Sequence, residues 1–258
     1  AARNLGLKYA NGEFIMFLDS DDWLEKECCE ISLNTIKQYQ ADVLMFDYYK
    51  IINNKRYPYN SYSKKIIEFN TDKENSTSVY DMRAISVWGK LYKLNSIKDI
   101  YFDESIKISE DVDFNFRVYN HVEKIIYIQK YMLNYRVLNS SAVHGYDKNI
   151  FENIMQPIKK METYMLEDNQ VNAYYSFVAI AYMVICQNGI YLSPEVSLKD
   201  KYMEIRKLSK DQTFKNLFLN AEKLVLPLSR KLFIFLGKYH FYYVIILILS
   251  LKKRFKNL

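Results

Sequence analysis

Phe14-Ile15-Met16-Phe17-Leu18-Asp19-Ser20-Asp21-Asp22-Trp23 is a short apolar run that ends on three acids. An aromatic-rich apolar stretch with Gly12 just before it reads as a buried strand. In open α/β sheets ligands sit in the crevice outside the carboxyl ends of the strands, where these acids fall. Asp19, Asp21 and Asp22 repel one another and are costly to desolvate together unless a cation joins them. Hard oxygen ligands suit Mg²⁺ or Mn²⁺, with phosphate oxygens completing the shell. A second reading accounts for the same residues. Asp and Ser bond their own backbone in turns and cap helices, so Asp22 could be the N-cap of a helix starting near Leu24.

Upstream, the apolar residues Ala2, Leu5, Tyr9 and Ala10 predict a short helix that Asn11-Gly12 would cap. From Ala2 to Asp22 the chain resembles the family 2 glycosyltransferases of the GT-A fold. Ala2, Arg3, Asn4, Gly6, Ala10, Gly12, Phe14, Ile15, Phe17, Leu18, Asp19, Asp21 and Asp22 all stand at positions of the family pattern. The resemblance implies that Asp19 binds the ribose of a nucleotide-sugar donor and that Asp21 holds the Mg²⁺ or Mn²⁺ bridging its diphosphate. Asp22 then supports that site or caps the next helix. Arg3 neutralises or braces the acids, or is a plain buried ion pair.

A second acidic element, Ser109-Glu110-Asp111-Val112-Asp113, opens a helical pattern carried by Val112, Phe116 and Tyr119. Ser109 reads as its N-cap, and acids in a first turn are ordinary helix-start residues favoured by the dipole. The resemblance adds a role, because the family carries a Glu-Asp pair here after an aromatic-Asp-Glu segment matched by Phe102-Asp103-Glu104. It implies Asp111 as the general base of an inverting transfer and Glu110 as a residue orienting acceptor or sugar.

Between these elements, Ser86-Val87-Trp88-Gly89-Lys90-Leu91-Tyr92-Lys93 alternates like a half-buried strand. Trp88 is a candidate acceptor platform or simply core. Lys124–Gln129 and Tyr131–Leu138 read as two strands. Arg136 either meets the departing diphosphate, to which a guanidinium fork is suited, or has no role in the site, and His144 either joins it or is surface polarity.

From about Phe151 the patterns become helical, over Ile154–Leu166, Val171–Cys186, Tyr202–Leu208 and Phe214–Leu228. The last stretch, Lys231–Leu258, contains an uncharged run at 241–251, short of the roughly 20 residues that span a bilayer. Lys252-Lys253-Arg254-Phe255-Lys256 follows, a pattern fitting an interfacial helix on anionic lipid or a core helix with a basic tail. The expected organisation is an α/β domain at 1–145, the back half of a GT-A (Rossmann-like, mixed-sheet) nucleotide-sugar transferase. A helical appendage at 146–230 and a basic amphipathic helix at 231–258 follow it. The resemblance also places the family's first βαβ units ahead of Ala1, so the polypeptide alone is expected to bind a nucleotide sugar poorly.

Cys28, Cys29 and Cys186 lack metal spacing and read as reduced thiols. No signal peptide opens the chain. The net charge of +6 is modest and gives no reason to expect a nucleic-acid partner. The expectation is a hexosyltransferase that moves a sugar from a UDP-sugar to a glycan or lipid-linked acceptor in bacterial surface polysaccharide synthesis. It would work in the cytoplasm, peripheral to the inner face of the plasma membrane. A non-catalytic membrane-associated fragment of such an enzyme and a nucleotidyltransferase remain as alternatives. Acceptor choice is expected to lie in loops such as 53–63.

Overall fold

The computed structural model describes residues 2–59, 65–70, 86–137, 146–164, 168–194, 196–224, 226 and 228–256. The chain divides into two compact units, Ala1–Asn139 and Ser140–Leu258.

In the first unit the element order is α1 (Ala2–Tyr9), β1 (Phe14–Ile15), β2 (Trp23–Leu24), α2 (Cys28–Tyr39), β3 (Val43–Ile52), β4 (Lys55–Tyr59), β5 (Ile66–Asn70), β6 (Lys90–Lys93), α3 (Leu94–Ile97), α4 (Glu110–Tyr119) and β7 (Lys124–Arg136). The sheet runs β1-β6-β3-β7-β2, with β4 added to β3 and β5 to β7. Among the described residues only the β3–β7 pairing is parallel; the others are antiparallel. It is therefore a mixed sheet, as the resemblance implies. Its core strands β3 and β7 carry near-continuous apolar runs because both faces are covered; Val43, Leu44, Ile125, Ile126, Tyr127 and Leu133 have essentially no exposed surface.

Several boundaries differ from the sequence reading. Strand hydrogen bonding stops at Ile15, and Phe17 instead inserts into an aromatic cluster. Its ring meets Tyr92, Phe102 and Phe114 edge-on at centroid distances of 5.8, 5.4 and 5.8 Å, while Phe102 and Phe114 stack at 4.1 Å. The helix expected from Leu24 begins at Cys28, because Trp23 and Leu24 pair with Asn134 and Leu133 of β7. Asp22 therefore does not cap it. The two strands expected across 124–138 are one, β7, interrupted only by register shifts opposite Phe46–Tyr48. Part of the expected 53–63 loop is a hairpin: Asn53 and Asn54 take φ of 50° and 60°, the left-handed pair of a tight turn, and β4 follows.

The second unit is helical, with α5 (Ile150–Tyr164), α6 (Asp168–Val184), a π-helix (Ile185–Tyr191), α7 (Leu198–Leu208), α8 (Gln212–Asn220), α9 (Leu228–Lys238) and α10 (Tyr242–Lys256). Tyr182 of α6 is its hub. The ring meets Phe214, Phe218 and Phe233, and its hydroxyl shares a hydrogen bond of 2.7 Å with Ser209 Oγ. Gly237 lets α9 approach this hub, since a Cβ there would lie 2.8 Å from the Tyr182 hydroxyl. The single helix expected over 231–258 is two helices. His240 takes φ 65°, and Phe241 N–H donates to the Leu236 carbonyl at 2.8 Å, which closes α9 in a left-handed C-terminal turn.

Candidate active site

The acidic loop after β1 is pinned at three points. Phe17 anchors its entry in the aromatic cluster. Asp22 Oδ1 accepts the backbone N–H of Arg136 at 2.8 Å, tying its exit to the end of β7. Between them Asp22 N–H donates to the Asp19 carbonyl at 3.1 Å, a tight turn that presents Ser20 and Asp21 to solvent.

Arg3 joins this loop to the second acidic element. Its guanidinium donates to Asp19 Oδ1 at 3.0 Å and to Glu110 Oε1 at 2.7 Å, and it lies 5.4 Å from the centroid of Phe102. The three charged side chains are each about one third exposed, at 31%, 35% and 33%. Burial works against the Arg3 charge, but the bonds to Asp19 and Glu110 outweigh it and hold the guanidinium above its ordinary pKa. Arg3 is therefore a part-exposed bridge between two motifs and not a buried pair. Asn4 clamps the same region: its Nδ2 donates to the Phe102 carbonyl and its Oδ1 accepts the Phe102 N–H, at 2.9 and 2.8 Å. The Arg-Asn dipeptide thus ties α1 to the segment leading into α4.

At the start of α4, Ser109 occupies the cap position with φ 69° and makes no side-chain cap bond, contrary to its expected role. Its carbonyl instead receives the N–H groups of Val112 and Asp113, at 3.1 and 3.2 Å. Asp111 Oδ1 accepts Val112 N–H at 2.9 Å. Burial, then repulsion from Glu110, pushes the Asp111 carboxyl up to about 6, with the Val112 N–H, Arg3 and Lys90 pulling the other way. Asp113 turns inward and is held by Arg117 at 2.6 Å.

Asp21 is exposed, and Asp22 is 9% exposed with its Oδ2 buried and lacking a hydrogen-bond partner. Burial is the main cause that raises Asp22 to about 6, with Asp21 and Asp19 adding repulsion and the Arg136 N–H opposing. Among the described residues no group of three or more His, Cys, Asp or Glu is arranged to hold a metal ion. A cation at Asp21 would need oxygens from a ligand. The residues fit that arrangement: the donors are hard oxygens, and an orphaned carboxylate oxygen lies beside the exposed Asp21.

Trp88 is half-buried, stacked on Tyr135 at 5.1 Å and met edge-on by Tyr48 at 4.8 Å. Tyr48 also stacks on Tyr59. Burial and the charges of Asp22, Asp21 and Asp19 raise the Tyr135 hydroxyl, which places this aromatic group beside the acidic loop. The Arg136 guanidinium lies over Trp23 at 5.4 Å, and its side chain is exposed. His144 lies outside the described residues.

The structure gives roles to residues to which the sequence reading assigned none. Asn4 is one, and Tyr135 and Tyr48 are others. Lys90 is a fourth, 1% exposed with its ammonium donating to the Ser86 carbonyl. Its signal was present: in an alternating strand Lys90 shares the face of Tyr92, so one of them could not be solvent-facing without the other.

The model of glycosyl transferase family 2 matches residues 1–101. Glycosyltransferase GlyA of Streptococcus pneumoniae is 36% identical over 149 residues, covering 55% of this chain and 21% of that protein. The putative glycosyltransferase EpsH of Bacillus subtilis is 23% identical over 249 residues, 93% of this chain and 72% of that one. The crystal structure of Staphylococcus aureus TarS 1–349 in complex with UDP-GlcNAc superimposes with a TM-score of 0.65 at 20% identity, covering 98% of this chain and 71% of that chain. This chain spans about a fifth of the length of GlyA, and the same share of the poly(ribitol-phosphate) beta-N-acetylglucosaminyltransferase TarS.

Proposed function

We propose that the chain is a glycosyl transferase of family 2, the family whose model matches residues 1–101, and that it takes part in metal-dependent, inverting transfer of a sugar from a nucleotide donor to a glycan or lipid-linked hydroxyl. The observation that carries the reading is the Arg3 guanidinium bound at once to Asp19 and Glu110, which brings the donor-side and acceptor-side acids into one crevice. UDP-sugars are the donor class, a choice supported by the S. aureus TarS structures in complex with UDP and UDP-GlcNAc.

Asp111 is the base. It takes the proton of the acceptor hydroxyl as that oxygen attacks the anomeric carbon and the nucleoside diphosphate departs from the opposite face, inverting the centre. With its pKa raised to about 6, Asp111 is still ionised at neutral pH yet more basic than an ordinary carboxylate. Asp19, oriented by Arg3, accepts from the donor ribose. Asp21 would hold the Mg²⁺ or Mn²⁺, with the donor phosphates supplying the further oxygens. When bound, the cation supplies Lewis-acid stabilisation of the leaving diphosphate. Arg136 meets the same phosphates from the end of β7, and Trp88 with Tyr135 offers an aromatic edge to the acceptor.

The reading places the enzyme at the inner face of the plasma membrane. No helix among the described residues is long and apolar enough to cross a membrane. Leu228, Leu232, Phe235 and Tyr239 share one face of α9 and its C-terminal turn, and Tyr243, Val244, Leu247 and Leu251 share one face of α10, all at least 40% exposed. No acid occurs from Leu228 to Leu258, whereas Arg230, Lys231, Lys238 and the 252–256 cluster are basic. That pairing of apolar face and cationic flank suits anionic lipid.

The test is nucleotide release by the full-length protein with a panel of UDP-sugars, beside Asp111→Asn and Asp21→Asn. Asp111→Asn is expected to lower turnover about 10²- to 10⁴-fold. Mn²⁺ with UDP is expected to raise the melting temperature of the parent and not of Asp21→Asn. Unchanged turnover in Asp111→Asn rejects the base assignment.

A further inference from the structure

Lys90 is fully buried, and the proposed reaction makes no use of it. An ammonium at such a position is costly to desolvate, and an apolar side chain of the same length would fill the space at lower cost. Its place in the sheet shows what the charge faces. Side chains alternate along β6, so Lys90 and Tyr92 share one face, and the Tyr92 hydroxyl donates to Asn115 Oδ1 of α4 at 2.9 Å. Stepping back two residues on a strand covers about 6.6 Å. Stepping back four on a helix covers about 6 Å, which leads from Asn115 to Asp111. The Lys90 ammonium, bonded to the Ser86 carbonyl, is thus on the side of β6 that meets α4, within electrostatic reach of Asp111, and each charge favours the ionised form of the other.

The other charges around Asp111 leave this task to Lys90. Glu110, beside it on α4, repels it; Arg3 of α1 attracts it but is already bound to Asp19 and Glu110; the Tyr92 phenol of β6 is neutral. We infer that Lys90 is a positioning residue whose buried cation keeps Asp111 ionised and aimed at the acceptor hydroxyl. The inference rests on Asp111 being the base. Its ammonium, lowered to about 7 mainly by burial, also sets an upper pH limit to the arrangement.

Two measurements test it. The first is the pH profile of kcat/KM for the parent, Lys90→Met and Lys90→Arg. Removing the cation is expected to move the acid limb upward by about one unit, so Lys90→Met loses most activity near pH 6 and recovers part of it near pH 8. Lys90→Arg is expected to return the limb toward the parent's. An equal loss at every pH, or an unmoved limb, overturns the inference. The second needs no turnover: melting temperatures at pH 6.5, between the two values, of Lys90→Met, Asp111→Asn and the double variant. Each single change strands one buried charge, so the double variant is expected to melt above the sum of the two losses. Additive losses overturn the pairing. Full turnover in Asp111→Asn with non-additive melting would remove the base assignment and leave the ion pair standing.

Discussion

Replacing Arg3 by Ala tests whether one guanidinium holds the two acidic motifs together. Charge-assisted hydrogen bonds are worth about 1.5–3 kcal/mol each when well shielded, and exposed ion pairs about 0.2–1 kcal/mol. With all three side chains about one third exposed, about 1 kcal/mol for each of the two bonds is reasonable after solvent screening. The contact with the Phe102 ring adds about 0.5 kcal/mol, and loss of the bridge leaves Asp19 and Glu110 without their shared counter-charge. The sum is about 2–3 kcal/mol, or about 1 M in urea midpoint for an m-value near 2 kcal/mol/M. Both tryptophans of the chain, Trp23 and Trp88, lie in the first unit, so fluorescence-detected urea unfolding reports that unit without the helical one. Arg3→Lys is expected to lose about half as much, because a single ammonium lacks the planar fork that serves two carboxylates at once. Added salt should narrow the gap. A midpoint for Arg3→Ala equal to the parent's, or Arg3→Lys as stable as the parent, would refute the bridge.

Asp22 and Asp111, both raised to about 6, hold protons in the folded chain that the unfolded chain has released, so folding stability is expected to fall as pH rises from about 4 to 6. Lys90, lowered to about 7, acts oppositely, since the unfolded chain keeps its proton longer and stability recovers above pH 7. Urea midpoints from pH 4 to 9 should therefore dip between pH 6 and 7, and Asp111→Asn should make the acid arm shallower. Leu232→Glu with Phe235→Glu is expected to abolish co-flotation with vesicles containing anionic lipid while leaving the helical content unchanged; retained flotation would reject α9 as the membrane contact. Gly237→Ala places a Cβ 2.8 Å from the Tyr182 hydroxyl and 3.1 Å from Phe218 and is expected to cost about 1–3 kcal/mol of the helical unit's stability, read by circular dichroism.

What could be read from the sequence follows from how local each signal is. The stretch from Ala2 to Asp22 is contiguous, so its helix, cap, apolar run and acids could be aligned together, and the family and mixed α/β fold follow from it. Its strand was overestimated because Phe17 is apolar for the sake of the aromatic cluster and not of the sheet. Periodicity gives the same signal for both. Ser109 looked like a cap by residue type, but its φ of 69° turns the side chain away from that role. The break at His240 is easily missed because Gly237, Lys238 and His240 interrupt the apolar pattern only briefly; the left-handed backbone at His240 separates α9 from α10. Lys90 is a different case: its alternation with Tyr92 is legible, but not which face of the strand turns inward. A lysine reads as solvent-facing until its strand register is known, and that register is fixed by Val43, Leu44 and Met45, far away in sequence.

The same network supplies the strongest physical case for the proposed cation. Asp19, Asp21, Asp22, Glu110 and Asp111 gather around Arg3, Lys90 and the end of β7 that bears Arg136. The balance is tolerable without a ligand because Asp21 faces water and two of the carboxyls titrate near 6. A nucleoside diphosphate changes that balance, since it brings further negative charge into a crevice whose cations are already shared among the acids. Arg3 cannot turn to the phosphates without releasing Asp19 or Glu110, and Lys90 is buried and bonded to the Ser86 carbonyl. Among the described residues of this network Arg136 remains, with its side chain exposed, and one guanidinium does not offset a diphosphate beside three aspartates. A divalent ion between Asp21 and the phosphates would restore the balance where the deficit arises. Donor affinity should then depend on the divalent ion far more steeply than on ionic strength. An affinity for UDP that is unchanged by chelator would mean that Arg136 and the backbone carry the diphosphate by themselves.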